Sequence, residues 1–93
     1  MNTPSAEQYK ALMTEVIKKQ IIILGPSISV LKARNVTALK VSDDGIVTDL
    51  SGDPQQALQQ LIEEYVSLSG LIVKNVLGSI MDKYPEIKVN VGN

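Results

Sequence analysis

Apolar residues recur every three or four positions near the start of the chain, as they do along one side of an α-helix. The series is Tyr9, Leu12, Met13, Val16 and Ile17. Ser5 with Gln8 three residues later is typical of a capping box, and Thr3-Pro4 offers a second start. We therefore predict a first long helix over residues 4–34.

A glycine and a proline interrupt this first helix. Apolar positions continue the helical stripe on both sides of Gly25-Pro26, which predicts a kink there, or a break with a restart at Pro26. The alternative is a buried strand over residues 20–24 followed by a turn. We favour the kinked helix, because a strand buried on both faces needs neighbouring strands that the remaining sequence scarcely supplies. The sequence alone leaves both interpretations open.

A β-hairpin is predicted over residues 38–50, because Asp44-Gly45 suits the two central positions of a type I′ turn. The pairs are then Leu39 with Leu50, Lys40 with Asp49, Val41 with Thr48, Ser42 with Val47, and Asp43 with Ile46. This register groups the apolar residues on one face and places opposite charges across the strands. The alternative is a three-residue loop over residues 43–45, which would set Leu39 against Asp49 and split the apolar set. We favour the two-residue turn for that reason.

A second long helix is predicted over residues 54–84. Asp53 can cap its first turn, Pro54 suits the first helical position, and Pro85 ends it. At about 1.5 Å per residue, a straight helix of this length spans roughly 45 Å, more than the expected diameter of so small a globule. The small residues over 67–70 mark where the helix could bend instead.

The apolar side of this second helix is two rows wide, which predicts contact with more than one neighbouring helix. We therefore predict that two copies form a dimeric four-helix assembly. The predicted dimer interface consists of Leu58, Leu61, Ile62, Tyr65, Leu68, Ile72, Val76 and Ile80. The tail over residues 86–91 alternates apolar and polar positions, which predicts a short strand that would meet the hairpin of a second copy. The predicted fold is α+β, mainly helical, in one domain spanning residues 1–93.

Composition narrows the chemistry open to the protein. Of its 93 residues 44% are hydrophobic, and none is Cys or His. The chain therefore lacks a thiolate nucleophile, an imidazole base and the usual zinc ligands. The aspartates at positions 43, 44, 49 and 53 do not follow EF-hand spacing, and turn or cap duties account for them. We expect no cofactor, no metal site and no enzymatic activity.

No targeting or membrane-spanning pattern is evident. The first residues lack the basic flank and apolar stretch of a signal peptide. The longest aliphatic run, from Ile21 to Leu24, is far shorter than the roughly 20 residues that span a bilayer. We therefore expect a cytoplasmic protein without membrane association.

The net charge of −1 conceals an asymmetry between the two halves of the chain. Residues 1–40 carry six basic and two acidic groups, whereas residues 41–93 carry three basic and eight acidic groups. We expect the halves to attract each other, within one chain or between chains. The candidate contacts for an anionic partner are Lys10, Lys18, Lys19, Lys32 and Arg34. Nucleic acid is a weaker expectation, because no aromatic side chains are interleaved for base stacking.

These observations favour binding over chemistry as the function. The excess apolar helix face and the missing catalytic residues predict a non-enzymatic, homodimeric interaction or regulatory module that docks a protein partner. The alternative is a nucleic-acid-associated protein that uses the basic first helix. An enzyme working with carboxylates and backbone groups alone ranks last.

Overall fold

Four helices and a two-stranded antiparallel hairpin form the described part of the chain, which is residues 4–89 of a computed structural model. The elements are α1 (Ala6–Leu24), α2 (Pro26–Arg34), β1 (Leu39–Val41), β2 (Val47–Leu50), α3 (Pro54–Val66) and α4 (Gly70–Ile80), with a 3₁₀ turn at Met81–Lys83. The predicted class, α+β and mainly helical, is confirmed.

The first predicted helix is two helices that meet at Gly25. The capping box before α1 is formed, since the Gln8 amide donates to Ser5 Oγ over 3.1 Å and the Ser5 amide donates to Gln8 Oε1 over 2.8 Å. Gly25 takes φ +93°, which favours glycine, and Pro26 restarts the chain as the first residue of α2. The break with restart is therefore confirmed, and no strand forms over residues 20–24.

The single straight helix predicted over residues 54–84 is wrong. It begins as expected, because Asp53 Oδ1 accepts from the Gln55 amide over 3.0 Å. α3 then ends at Val66, and α4 begins only at Gly70 and ends at Ile80. The chain turns back between them, so that α4 packs against both α3 and α1.

Two serines account for this reversal. Ser67 Oγ donates to the Glu64 carbonyl over 2.6 Å, which occupies an acceptor at the end of α3. Ser69 takes an extended conformation, and its Oγ accepts from the Ile72 amide over 3.3 Å as the cap of α4. Serine side chains thus satisfy backbone groups that a continuous helix would have bonded internally.

The reversal lets one chain cover its own apolar faces. Six residues of the predicted dimer interface are buried inside the single chain: Leu58, Leu61, Ile62, Tyr65, Val76 and Ile80. Leu68 is 40% exposed and Ile72 is partly buried. The core side chains of α1 meet them from the other side: Leu12, Met13, Val16 and Ile17. A second copy is therefore not needed to cover this face, because the chain does not form the straight helix that was predicted.

The hairpin closes through the three-residue loop and not through the predicted type I′ turn. The Gly45 amide donates to the Ser42 carbonyl over 3.0 Å, and the Ser42 amide donates to the Ile46 carbonyl over 2.9 Å. Gly45 has φ +90°, whereas Asp44 does not have the positive φ that a type I′ turn requires. Only one position in the loop is left-handed, and glycine occupies it.

A β-bulge restores the predicted register beyond this loop. Leu39 pairs with Leu50 and Lys40 with Asp49, as predicted, but Val41 pairs with Val47 instead of Thr48. Thr48 is the extra residue of the bulge, and its hydroxyl donates to the Lys40 carbonyl over 3.2 Å. The apolar set is therefore not split, because Val47 replaces Thr48 on the buried face.

The tail forms no strand within the described residues. Ile87 is buried, and the Lys88 carbonyl accepts from Gln55 Nε2 over 2.5 Å at the start of α3. Residues 90 and 91 of the predicted strand lie outside the described part of the chain. The buried Ile87 holds this segment on its own chain's core.

Three long-range hydrogen bonds fix how the helices run. Tyr9 OH donates to Gln55 Oε1 over 2.8 Å, so α1 and α3 start at the same end of the molecule. Tyr65 OH donates to the Ser29 carbonyl over 2.7 Å, so the end of α3 lies beside α2. Tyr84 OH donates to Glu15 Oε2 over 2.6 Å, which places the chain after α4 beside the middle of α1. α3 therefore runs with α1, and α4 runs against it.

We expect Gly45→Ala to destabilise the fold more than Gly52→Ala. A Cβ at position 45 would lie 2.7 Å from Ile21 Cδ1 and 3.0 Å from the buried Ile17 Cγ2, whereas nothing lies within 4 Å of one at position 52. Both glycines have positive φ, so both variants should lose about 1–2 kcal/mol to backbone strain. Only the first should lose about 1–3 kcal/mol more to overpacking. Urea unfolding measures both, and equal losses would contradict the contact with α1.

Candidate functional site

Large aliphatic side chains are exposed at one end of the molecule. They are Ile22 (77% exposed), Ile23 (50%), Leu31 (58%), Ile46 (38%), Leu68 (40%) and Leu71 (71%). α1 ends there, α2 begins there, and the α3–α4 connection lies beside α2. The hairpin loop also reaches this end, because Gly45 packs against Ile21 in the last turns of α1. These side chains form two surfaces of different shape.

The first surface, which we call the tip, consists of Ile22 and Ile23 from the last turn of α1 and Leu68 and Leu71 from the α3–α4 connection. The two segments are neighbours because α4 runs antiparallel to α1. The four principal cavities of the described residues are lined by other side chains. The tip is therefore an exposed apolar surface outside these four cavities.

Lysines lie one helical turn behind the tip. Lys18 and Lys19 precede Ile22 and Ile23 by four residues in α1, and Lys74 follows Leu71 by three residues in α4. Residues at these spacings share a helix face. All three lysines are exposed. The apolar tip therefore has a collar of positive charge.

The second surface, the α2–hairpin groove, is a cavity of about 440 Å³. It is lined by Pro26, Ser27, Val30, Leu31, Arg34 and Asp43. Arg34 Nη2 donates to Asp43 Oδ1 over 2.8 Å, and Arg34 Nε and Nη2 donate to the Val41 carbonyl over 3.1 and 2.9 Å. The groove thus has an apolar floor, a projecting leucine, and both signs of charge at its rim.

The five basic residues predicted to contact an anionic partner do not form one surface. Three of them have carboxylate partners: Lys10 with Glu7 at 2.9 Å, Lys32 with Glu64 at 3.9 Å, and Arg34 with Asp43 at 2.8 Å. Lys18 and Lys19 belong to the collar of the tip. The basic face expected for nucleic acid is therefore largely neutralised within the chain.

A carboxylate, a phenol and an ammonium group join α1 to the end of α4. Glu15 accepts from Lys83 Nζ over 2.7 Å and from Tyr84 OH over 2.6 Å. These two hydrogen bonds lower the pKa of the Glu15 carboxyl. Burial, with the bond to Glu15, raises the pKa of Tyr84 to about 12. Near neutral pH the Glu15 carboxyl is therefore ionised and the Tyr84 phenol keeps its proton, so the cluster acts as a clasp and not as an acid–base pair.

Two polar side chains buried in the core were missed by sequence reasoning. Gln20 is 1% exposed, and neither of its amide atoms has a hydrogen-bond partner among the described residues. Ser29 Oγ is also buried without a partner. The available signal was position, because Gln20 follows Val16 by four residues on the apolar stripe of α1. Burial raises the pKa of the neighbouring phenol of Tyr65, which donates to the Ser29 carbonyl.

No group of three or more His, Cys, Asp or Glu within residues 4–89 could hold a metal ion. None of the described helices has the length and hydropathy to cross a bilayer.

We expect Gln20→Met to stabilise the protein by about 1–2 kcal/mol. Methionine has a similar length and flexibility, and the substitution removes the cost of burying an amide that lacks partners. The exposed Gln56 provides the matched control, since Gln56→Met should leave the free energy of unfolding unchanged. Thermal unfolding compares the two, and a lower melting temperature for Gln20→Met would contradict an unsatisfied amide.

We expect Glu15→Gln to lose stability at neutral pH but not in acid. The folded pKa of Glu15 lies below its ordinary value of 4.5, so its contribution is present above that value and is lost as the pH falls through the folded pKa. Parent and variant should therefore converge below pH 4.5 in urea unfolding. Glu63→Gln, at an exposed position of α3, is the control. A constant difference at every pH would contradict the charged clasp.

The tip and the groove are identified from the structure of this chain alone. Comparison with protein-family models, with curated proteins and with solved structures finds no match.

Proposed function

We propose that this protein is a non-enzymatic interaction module that forms a homodimer through the α2–hairpin groove. The observation that carries the proposal is the pairing of a projecting side chain with a cavity. Leu31 is 58% exposed at the edge of the groove, whose floor is the buried Val30. In a two-fold dimer, Leu31 of each copy enters the groove of the other.

Charge at the rim supports a second copy as the occupant. A two-fold interface brings each residue opposite a different residue of the same surface, so a rim with one cation and one anion is self-complementary. Arg34 and Asp43 are such a pair, and the Asp43 side chain is 98% exposed. Each Arg34 can exchange its own Asp43 for that of the second copy without leaving a charge unpaired. Ile46 lies on the same hairpin loop and adds apolar area.

The polar side chains of this protein fit a binding function better than a catalytic one. The chain has no Cys or His. Asp53 caps α3, and Glu15 and Glu64 form ion pairs. These three carboxylates therefore have structural duties, and the chain offers no imidazole or thiolate to act beside a carboxylate. A small groove also fits a weak, reversible contact of the kind that regulatory modules use.

Sedimentation equilibrium over a range of concentrations tests the proposal. We expect the average mass to rise towards twice the monomer mass, with a micromolar Kd. Leu31→Ser should raise that Kd at least tenfold, because a dimer loses two buried leucines and each tenfold change corresponds to about 1.4 kcal/mol.

Leu71→Ser is the matched control, since Leu71 is equally large and 71% exposed but belongs to the tip. It should leave the Kd unchanged. A parent protein that stays monomeric at high micromolar concentration, or an equal effect of both variants, would refute dimerisation through the groove.

A further inference from the structure

The tip lies outside the groove of the proposed dimer. Self-association through that groove therefore does not explain why the side chains of the tip are apolar and exposed. Its four exposed side chains are purely aliphatic, and Ile22 and Leu71 keep more than two-thirds of their surface in contact with water. Exposed apolar groups gathered at one place mark a surface that binds something. Because the tip lines none of the principal cavities, a partner need not offer a fitted side chain.

The two chain segments that form the tip carry charges of a single sign. Residues 16–42 contain five basic residues and no acidic residue, and residues 65–81 contain Lys74 and no acidic residue. These two stretches supply the whole tip. Lys19 and Lys74 have no carboxylate within 4 Å among the described residues. Two copies meeting tip to tip would bring cations against cations, which disfavours a second copy as the occupant.

The hairpin loop brings one acidic side chain, Asp44, near Lys18 of the collar. The Asp44 carboxylate accepts from Ser42 Oγ, and this bond together with the charge of Lys18 lowers the pKa of Asp44. Lys18 is therefore partly compensated by the hairpin loop. The charge of Lys19 also helps to lower the pKa of Glu15, although neither Lys19 nor Lys74 forms an ion pair within 4 Å among the described residues. Lys19 and Lys74 therefore supply most of the positive charge of the collar.

The spacing of apolar and basic groups matches the boundary of a lipid bilayer. One helical turn separates each lysine from its aliphatic neighbour, which is roughly 5 Å along the axis at about 1.5 Å per residue. Interfacial segments bury their apolar side chains about 5–10 Å deep while cations remain at the headgroups. α1 runs outward to the tip and α4 runs inward from it, so both helices place their lysines on the same side of the aliphatic groups.

We propose that the tip is a peripheral anchor that binds an anionic lipid surface, with the four aliphatic side chains inserted and Lys19 and Lys74 at the lipid phosphates. The long lysine side chains can extend towards the headgroups while their methylene groups stay on apolar surface. This inference goes beyond the proposed dimer and uses a different surface. An acidic, apolar protein helix would share the charge preference, but the tip lines none of the four principal cavities that could hold such a helix.

Vesicle co-sedimentation tests the anchor with full-length protein. The probes are vesicles of phosphatidylcholine alone and vesicles in which one third of the lipid is phosphatidylglycerol. We expect binding to the anionic vesicles at least tenfold tighter than to the neutral ones, and weaker binding as salt is raised.

Two double variants separate the contributions. Ile22→Ser with Leu71→Ser should weaken binding to the anionic vesicles at least tenfold. Lys19→Gln with Lys74→Gln should abolish the preference for anionic lipid. Lys40→Gln with Lys88→Gln changes the net charge equally at exposed positions outside the tip and should change binding less than twofold. Circular dichroism and thermal unfolding establish that each variant is folded, and Lys19→Arg with Lys74→Arg should retain binding.

The outcomes decide between the anchor and its alternatives. No binding to anionic vesicles by the parent protein overturns the proposal. An equal loss in the Lys40 and Lys88 variant also overturns it, because the attraction would then be that of total charge. If the Ile22 and Leu71 variant changes the oligomer and not vesicle binding, the tip is a protein interface. The dimer is judged separately by Leu31→Ser, so either proposal can fail alone.

Discussion

The reversal of the chain between α3 and α4 is the constraint on which the rest of the structure depends. Both helices carry broad apolar faces, and a short chain can cover them only if one folds back along the other. Ser67 and Ser69 stabilise this turn, because their hydroxyls form hydrogen bonds with backbone groups at the helix ends. Once α4 returns beside α1, the core closes around Tyr65 and Ile62. The same turn exposes Leu68 and Leu71, so the feature that closes the core also creates the tip.

Much of the fold could be predicted because several element boundaries are local chemistry. The caps at Ser5 and Asp53 and the restart at Pro26 depend on residues within one turn of the boundary, and all three form. The reversal between α3 and α4 could not be predicted from local sequence in this way. Serines and a glycine in an apolar helix permit either a continuous helix or a turn, and packing against α1 decides between them. The prediction of a dimer followed from choosing the continuous helix.

The hairpin shows a different limit of sequence reasoning. Pairing chemistry correctly placed Leu39 opposite Leu50, yet the loop between the strands has the geometry that this argument rejected. The bulge at Thr48 allows both, because one extra residue compensates for the longer loop. The candidate surfaces were harder still. Ile22 and Leu31 follow the same apolar pattern as core residues, and only the assembled fold distinguishes those that remain exposed.

The hydrogen bonds between the hairpin and its flanking helices also limit how this protein can associate. A two-stranded sheet normally leaves backbone amides and carbonyls open to an additional strand from another molecule, which is a common route to aggregation. Here the Val47 amide donates to Thr14 Oγ1 over 3.0 Å, and the Val41 carbonyl accepts from the guanidinium of Arg34. Side chains from the two flanking helices thus occupy backbone groups on both strands. Edge-to-edge growth of the sheet is blocked at these positions, and contact with other molecules is left to side chains.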